Sequence, residues 1–380
     1  MEAHVGWSQV LARRLARSCL TERARADRLA EVVGAVCGVH AQVQASAELQ
    51  LSARVRGIVQ ADVRHALWQE RTLVKAWTLR GTLHIHRADE LALWHAARRA
   101  VLGAAEQGLP EWRDPAGVVH PALDADEVEA ARTAVWKTLD GRCLLREELA
   151  AEVVKRVGER PRERLRSGFA FFLSELCQGP PQGSRITLAR PDQWIRGWRD
   201  VADGREALRE TCRRFLHAYG PARPVDFCQW VSSPAFRVGE ARLVFAELEL
   251  EALDVEGTQS FVLAGDTSFP EPVSHVSLLP EYDVYVMGSR ERDRLVPPHV
   301  RELVAQHGRG RYEGPAGVRF VLVDGIAAGL WERRRRGKRV ELEVRLAGTG
   351  GKATRTALAR EAERVGEFLG LEPVLSVGRR

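Results

Sequence analysis

Apolar residues in the first hundred positions recur with two periods. Leu29, Val32, Val33, Val36 and Val39 follow the three-and-four spacing of one helix face. Ala45 to Arg56 and Ala61 to Arg71 predict two further helices, the first ended by Gly57. Leu73 to Ile85 alternates around Gly81, which predicts two short strands. Asp89 stands where a helix cap is needed, ahead of a helix over 90–105. The proline-rich stretch 108–124 predicts a linker.

Two later stretches share one order: helix, turn, short helix, longer helix, strand, turn, strand. The first has helices over 126–139, 144–157 and 162–177 and strands around 183–188. The second has helices over 206–219, 224–231 and 235–249, with strands at 253–255 and 260–263 about Gly257. That order is a helix-turn-helix with a hairpin wing, and the first hundred residues fit the same plan. After 260 the chain turns β-rich. Val273 to Pro280 and Asp283 to Met287 predict extended segments. Strands are predicted at 318–323, 327–333 and 339–346, and a helix over 354–369 precedes a short tail. The expected fold class is α+β. Three tandem winged-helix units, 1–107, 108–200 and 201–258, precede a small β-rich domain over 259–380 with a C-terminal helix.

Composition narrows the function classes. Of 380 residues, 45% are hydrophobic and 28% charged, which excludes disordered and collagen-like chains. No apolar run approaches the roughly 20 residues of a membrane span, and no leader pattern opens the chain. A cytoplasmic protein without a membrane partner is expected. The six cysteines form no C-x-x-C pair, so a zinc ribbon or iron–sulfur site is not expected. Net charge is +6, and only five of the 57 basic residues are lysines. Arginine suits bidentate contact with phosphate and base edges, so a nucleic-acid partner is permitted.

Three constellations carry candidate chemistry. Gln42 and Gln44 fall where one predicted helix gives way to the next. In an extended segment, residues two apart face the same way, so their amides can converge on one water or one sugar. Arg80, Thr82, His84 and His86 line the second predicted strand and its turn, where they are candidate DNA contacts rather than metal ligands. Arg333, Arg334, Arg335, Arg336, Lys338 and Arg339 place six cations on one predicted hairpin tip. Such a tip suits the minor groove of DNA. Gln306 to Arg311 is a weaker basic loop. Phosphate-cradling glycine motifs, a nucleophile elbow and zinc-hydrolase motifs are absent, so no cofactor and no metal are expected.

The chain resembles the AlkZ/YcaQ-like family of winged-helix DNA glycosylases. The resemblance rests on His40-Ala41-Gln42-Val43-Gln44, on Trp77 to His86, on Ala218-Tyr219-Gly220-Pro221-Ala222, on Leu278-Leu279-Pro280-Glu281-Tyr282-Asp283, and on Val323-Asp324-Gly325 with Gly329-Leu330-Trp331. It implies three winged helices around a basic concave face, and a β-domain hairpin that reaches the minor groove. It also implies that Gln42 and Gln44 are catalytic, in the Gln-hydrophobic-Gln form of the AlkZ branch. Cys228-Gln229-Trp230-Val231-Ser232-Ser233 departs from the pattern without touching that motif.

The implied activity is monofunctional hydrolysis of the N-glycosidic bond of purines alkylated at N7 or N3, with unhooking of interstrand crosslinks as an extension. The implied partner is double-stranded DNA carrying alkylated or crosslinked purines, bound by a monomer. A cationic purine leaves without acid assistance, so neutral amides suffice to orient water and to face the positive charge on the sugar. The alternative is a non-enzymatic winged-helix regulator, and a weaker one is an RNA-binding module.

Overall fold

The computed structural model describes the chain except residues 1–2, 104–107, 115, 167–174, 184, 308–316, 349 and 380. It is α+β and divides into two compact units. One comprises residues 1–65, 212–230 and 238–380; the other comprises 66–211 and 231–237. These breaks differ from those expected at 107/108, 200/201 and 258/259.

The second unit shows why. The strands Leu73–Trp77 and Leu83–Arg87 form the predicted hairpin, and Cys177–Gln182 and Arg185–Ala189 form another. Ala76 pairs with Cys177, so both hairpins belong to one sheet, closed at its edge by Leu144–Leu145. Trp77 and Leu83 accordingly share a core with Leu123, Val128, Val135, Leu149, Val153 and Leu188. Asp124 caps the helix Ala125–Thr138 in a reciprocal pair with Glu127, as an acid ahead of an apolar-periodic run should. The helix Arg146–Val157 follows the edge strand. The helix predicted over 162–177 is helical at Arg162–Arg166; 167–174 lie outside the described residues, and Cys177 already begins a strand. The expected linker holds a small pair of strands, Trp112–Arg113 and Val119–His120.

Among the described residues, two sheets lie wholly within the first unit. Ala3–Val5 lies parallel to Leu250–Val255, whose other side pairs antiparallel with Thr258–Leu263. In sequence, the helices Gly204–Tyr219 and Pro224–Val231, whose residues 204–211 and 231 count with the second unit, and Val238–Ala246 precede that hairpin, close to their predicted bounds. The larger sheet runs Val276–Leu278, Phe320–Val323, Ile326–Arg336, Arg339–Leu346 and Glu372–Arg379. The last strand is parallel to its neighbour and replaces the expected tail. The helix Lys352–Leu369 supplies the connection that a parallel pair requires. At Gly329 a Cβ atom would lie 2.2 Å from the Arg345 carbonyl oxygen, so only glycine fits this strand crossing.

One expectation fails here, and one helix goes unpredicted. Asp283 to Met287 reads as extended because Val284, Tyr285 and Val286 favour strands. It is instead the helix Val284–Gly288, with the Asp283 carboxylate accepting from the Tyr285 N–H at 2.9 Å. The local cap overrides the propensity. The sequence pattern also does not predict the helix Pro298–His307, whose Val300, Leu303 and Val304 enter the core.

Candidate active site at the Gln42–Gln44 turn

The strand Val39–His40 ends at buried Ala41, and Gln42 and Val43 form an exposed bend. Val43 is extended, with φ −111° and ψ 110°, and Gln44 is the first residue of the helix Gln44–Ser52. The two amides therefore flank a non-helical residue, as their spacing requires if they are to share a target. Gln42 is exposed and Gln44 half-buried.

The helix behind them is buried from Ser46 through Ser52, although four of those seven residues are polar. Each polar group must then find a partner, and the partners order the site. Ser46 Oγ donates to the Glu281 carbonyl. Gln50 Nε2 donates to the His40 carbonyl at 3.0 Å, and its Oε1 accepts from the Val284 N–H at 3.2 Å. Arg54, just past the helix, forks onto Asp283 at 2.7 and 2.8 Å with both side chains fully buried. Arg364 donates to Ser52 Oγ at 2.8 Å and to the Leu278 carbonyl at 3.1 Å. Leu278 to Asp283 is thus stitched to the Gln44–Ser52 helix along its length. Trp331 Nε1 donates to the Leu279 carbonyl at 2.7 Å, which adds the Gly329-Leu330-Trp331 stretch to the same assembly.

Tyr282 lies in that stitched segment at φ 61°, a left-handed conformation that costs a non-glycine residue free energy. Its ring lies 5.2 Å from that of His40, tilted by 30°. Motifs 234 and 235 positions apart in the sequence therefore meet beside the glutamine pair.

Glu48, one turn beyond Gln44, was not singled out in the sequence. It is fully buried, and its carboxylate accepts from Gln44 Nε2 at 3.3 Å and Gln60 Nε2 at 2.8 Å. Arg64 adds contacts of 2.8 and 3.3 Å, and this carboxylate raises the Arg64 pKa through hydrogen bonding and charge. The available signal was the i, i+4 spacing from Gln44.

The basic hairpin lies in the same unit. Ile326–Arg336 and Arg339–Leu346 pair in register with Arg336 opposite Arg339, and Gly337 takes φ 59° at the turn. Arg334, Arg335, Arg336, Lys338 and Arg339 are exposed. Arg336 faces Glu341 at 3.7 Å and Arg339 faces Glu372 at 2.8 Å, so part of the tip's charge is balanced within the chain. Arg333 is half-buried. Burial lowers its pKa, Arg319 lowers it further, and Glu281, Glu332 and Glu48 oppose them. Arg319 itself grips Glu281 at 2.7 and 3.0 Å and Glu332 at 2.6 Å.

The remaining sequence candidates lie in the second unit. Arg80 at φ 79° and Gly81 at φ 66° make the hairpin turn, and Arg80 and Thr82 are partly exposed. His84 and His86 are each 2% exposed. His86 Nε2 pairs with Thr78 Oγ1 at 2.8 Å and its ring packs 4.7 Å from Trp94; His84 Nδ1 pairs with the Thr82 carbonyl at 3.0 Å. Contact with DNA phosphate, expected for these two imidazoles, does not fit that burial; their side chains support the hairpin instead. The weak basic loop at 306–311 lies mostly outside the described residues. Among the described residues, no three His, Cys, Asp or Glu side chains gather as metal ligands, and no helix is long and apolar enough to cross a membrane.

The family model described as DNA glycosylase AlkZ-like matches residues 33–368. The chain belongs to the AlkZ-like DNA glycosylase family. This AlkZ-like chain is 31% identical over 341 residues to the interstrand DNA cross-link repair glycosylase of Streptomyces sahachiroi, covering 86% of this chain and 87% of that one. Its fold is similar to the solved structure of Streptomyces sahachiroi DNA glycosylase AlkZ, with a TM-score of 0.81 and 27% identity over 99% of this chain and 100% of that one. The resemblance drawn from the sequence motifs and the family match agree. An AlkZ-like chain is an enzyme, so the regulator reading is set aside.

Proposed function

We propose that this DNA glycosylase hydrolyses the N-glycosidic bond of cationic purines alkylated at N7 or N3 in double-stranded DNA, including purines joined in interstrand crosslinks. The observation that carries the reading is the glutamine turn. Two amides stand at the exposed end of a buried helix, and one of them is tied back to a carboxylate. The similarity to a crosslink-repair glycosylase supports the extension to crosslinks.

Gln42 and Gln44 would hold a water against C1′ and turn their carbonyl oxygens toward the sugar. The bond from C1′ to the base breaks first, and the electron pair leaves with the purine, which thereby loses its positive charge. The oxocarbenium-like sugar is stabilised by amide oxygens already in place. Water then bonds to C1′ and releases its proton to solvent, leaving an abasic strand. No protein acid is required because the lesion supplies the driving force. An unmodified purine lacks that force, so the site selects for charge.

The chain would bind DNA as a monomer in the cytoplasm. Its three helix–helix–hairpin stretches act as winged helices over 1–107, 108–200 and 201–258, and the 259–380 region sends the Arg334–Arg339 tip toward the minor groove. Arg80 and Thr82 would add backbone contacts from the second unit. The test is incubation of the protein with N7-methylguanine duplex. Alkali-labile abasic sites at the lesion are expected. Duplex binding without abasic sites on any cationic purine would reject the reading.

A further inference from the structure

Glu48 raises a question that the glutamine pair leaves open. A primary amide has two orientations of nearly equal shape, with oxygen and nitrogen exchanged. Only one of them turns carbonyl oxygen toward water and sugar. The pair works only if something selects it.

We infer that Glu48 is a positioning residue that fixes the Gln44 amide with its carbonyl oxygen facing the reaction. An ionised carboxylate only accepts hydrogen bonds. Its partner atom on Gln44 must therefore be the Nε2 donor, at 3.3 Å, which leaves Oε1 to point away. The negative charge behind the N–H also draws density onto the amide oxygen, since linked hydrogen bonds polarise one another. Glu48 is itself held. Gln60 donates to one oxygen, and the Arg64 fork spans both. A fully buried carboxylate so engaged is poorly placed to take a proton from water, which separates it from a general base. Arg64, whose side chain is exposed, neutralises it from the solvent side.

This inference rests on the catalytic role proposed for Gln44, and a double-mutant cycle separates the two. Single-turnover excision of N7-methylguanine is measured at saturating enzyme for the wild type, Glu48→Gln, Gln44→Ala and the double variant, together with duplex Kd. Glu48→Gln keeps size and shape but removes the acceptor-only oxygens. It should slow excision by about 10- to 100-fold, the range for groups that orient a functional side chain, with Kd unchanged. In the Gln44→Ala background it should add nothing. Arg64→Gln, which changes a side chain at the surface, should give a smaller loss that also vanishes in that background. It serves as the test if Glu48→Gln does not fold. Equal losses in both backgrounds would overturn the inference, because Glu48 would then act without Gln44. Full activity of Gln44→Ala would instead reject the catalytic role of Gln44.

Discussion

Arg54 and Asp283 stand 229 residues apart in the chain and meet inside the first unit with both side chains at 0% exposure. The guanidinium fork spends Nη1 and Nη2 on the carboxylate, and Nη1 also reaches the Gln50 carbonyl at 2.9 Å. Asp283 in turn caps the Val284–Gly288 helix. Removing one partner strands a buried charge, which typically costs about 3–5 kcal/mol. Asp283→Ala should therefore lower the urea midpoint and, by loosening the segment stitched to the Gln44–Ser52 helix, slow excision as well. A variant with wild-type stability would show that the pair is dispensable.

The glutamine pair makes a second prediction. Gln42→Ala and Gln44→Ala should each reduce single-turnover excision by about 10²–10³, as loss of one preorganised polar group does. The double variant should be little worse than the poorer single one, because the proposed mechanism has both amides hold one water. Duplex affinity, measured by fluorescence anisotropy, should stay within a few-fold. Full excision by the double variant would remove both residues from the mechanism.

Much of this was legible locally. The alternation at Leu73 to Ile85 gave a hairpin, and the structure has strands at Leu73–Trp77 and Leu83–Arg87. Asp124 with Glu127, and Gly257 between two strands, are signals that local physics obeys. What was not legible depends on distant partners. Glu372–Arg379 carries Pro373 and a weak alternation, and becomes a strand by pairing along Arg339–Leu346. Glu48 in isolation reads as a solvated helix charge; its burial follows from Gln60, Arg64 and the surrounding core. His84 and His86 share a strand face, as expected, but nothing in their spacing reveals that the face is covered.

The contact proposed for the hairpin tip predicts a salt dependence of binding. Removing one arginine that pairs with a phosphate should reduce the slope of log K against log salt by roughly 0.9. Arg334→Ala and Arg335→Ala should each show this. Arg336→Ala should show less, because Glu341 lies 3.7 Å from it and competes for the guanidinium. Titrations between about 50 and 200 mM salt resolve such differences. An unchanged slope in the triple variant would mean that the tip faces away from DNA.

His95 predicts how the second unit responds to acid. Burial, then Arg99 and Arg98, lower its pKa to about 3. The unfolded chain binds a proton near the ordinary histidine value of about 6.5, while the folded ring stays neutral. Its contribution is therefore complete above that value and is lost as pH falls toward 3. The slope should approach roughly 1.4 kcal/mol per pH unit between pH 6 and 4. Urea unfolding followed by tryptophan fluorescence at several pH values measures it, and His95→Phe should flatten this part of the curve. An equally steep curve in His95→Phe would assign the acid sensitivity elsewhere.

Base release should leave an intact abasic strand, without a lyase step. A lyase needs an amine nucleophile of lowered pKa that can reach C1′. The chain has five lysines, and Lys75 is the one within the first 107 residues. Lys75 lies in the Leu73–Trp77 strand with 5% of its surface exposed, opposite Ile85. The proposed pair of amides forms no Schiff base. Borohydride added during turnover should therefore trap no protein–DNA adduct, and product strands should stay uncut until treated with alkali. Lys75→Ala should release base at the wild-type rate, corrected for any loss of folded protein. A trapped adduct that disappears in Lys75→Ala would replace water by an amine as the attacking group. Gln42 and Gln44 would then lose the role of holding the nucleophile and keep, at most, that of facing the charged sugar.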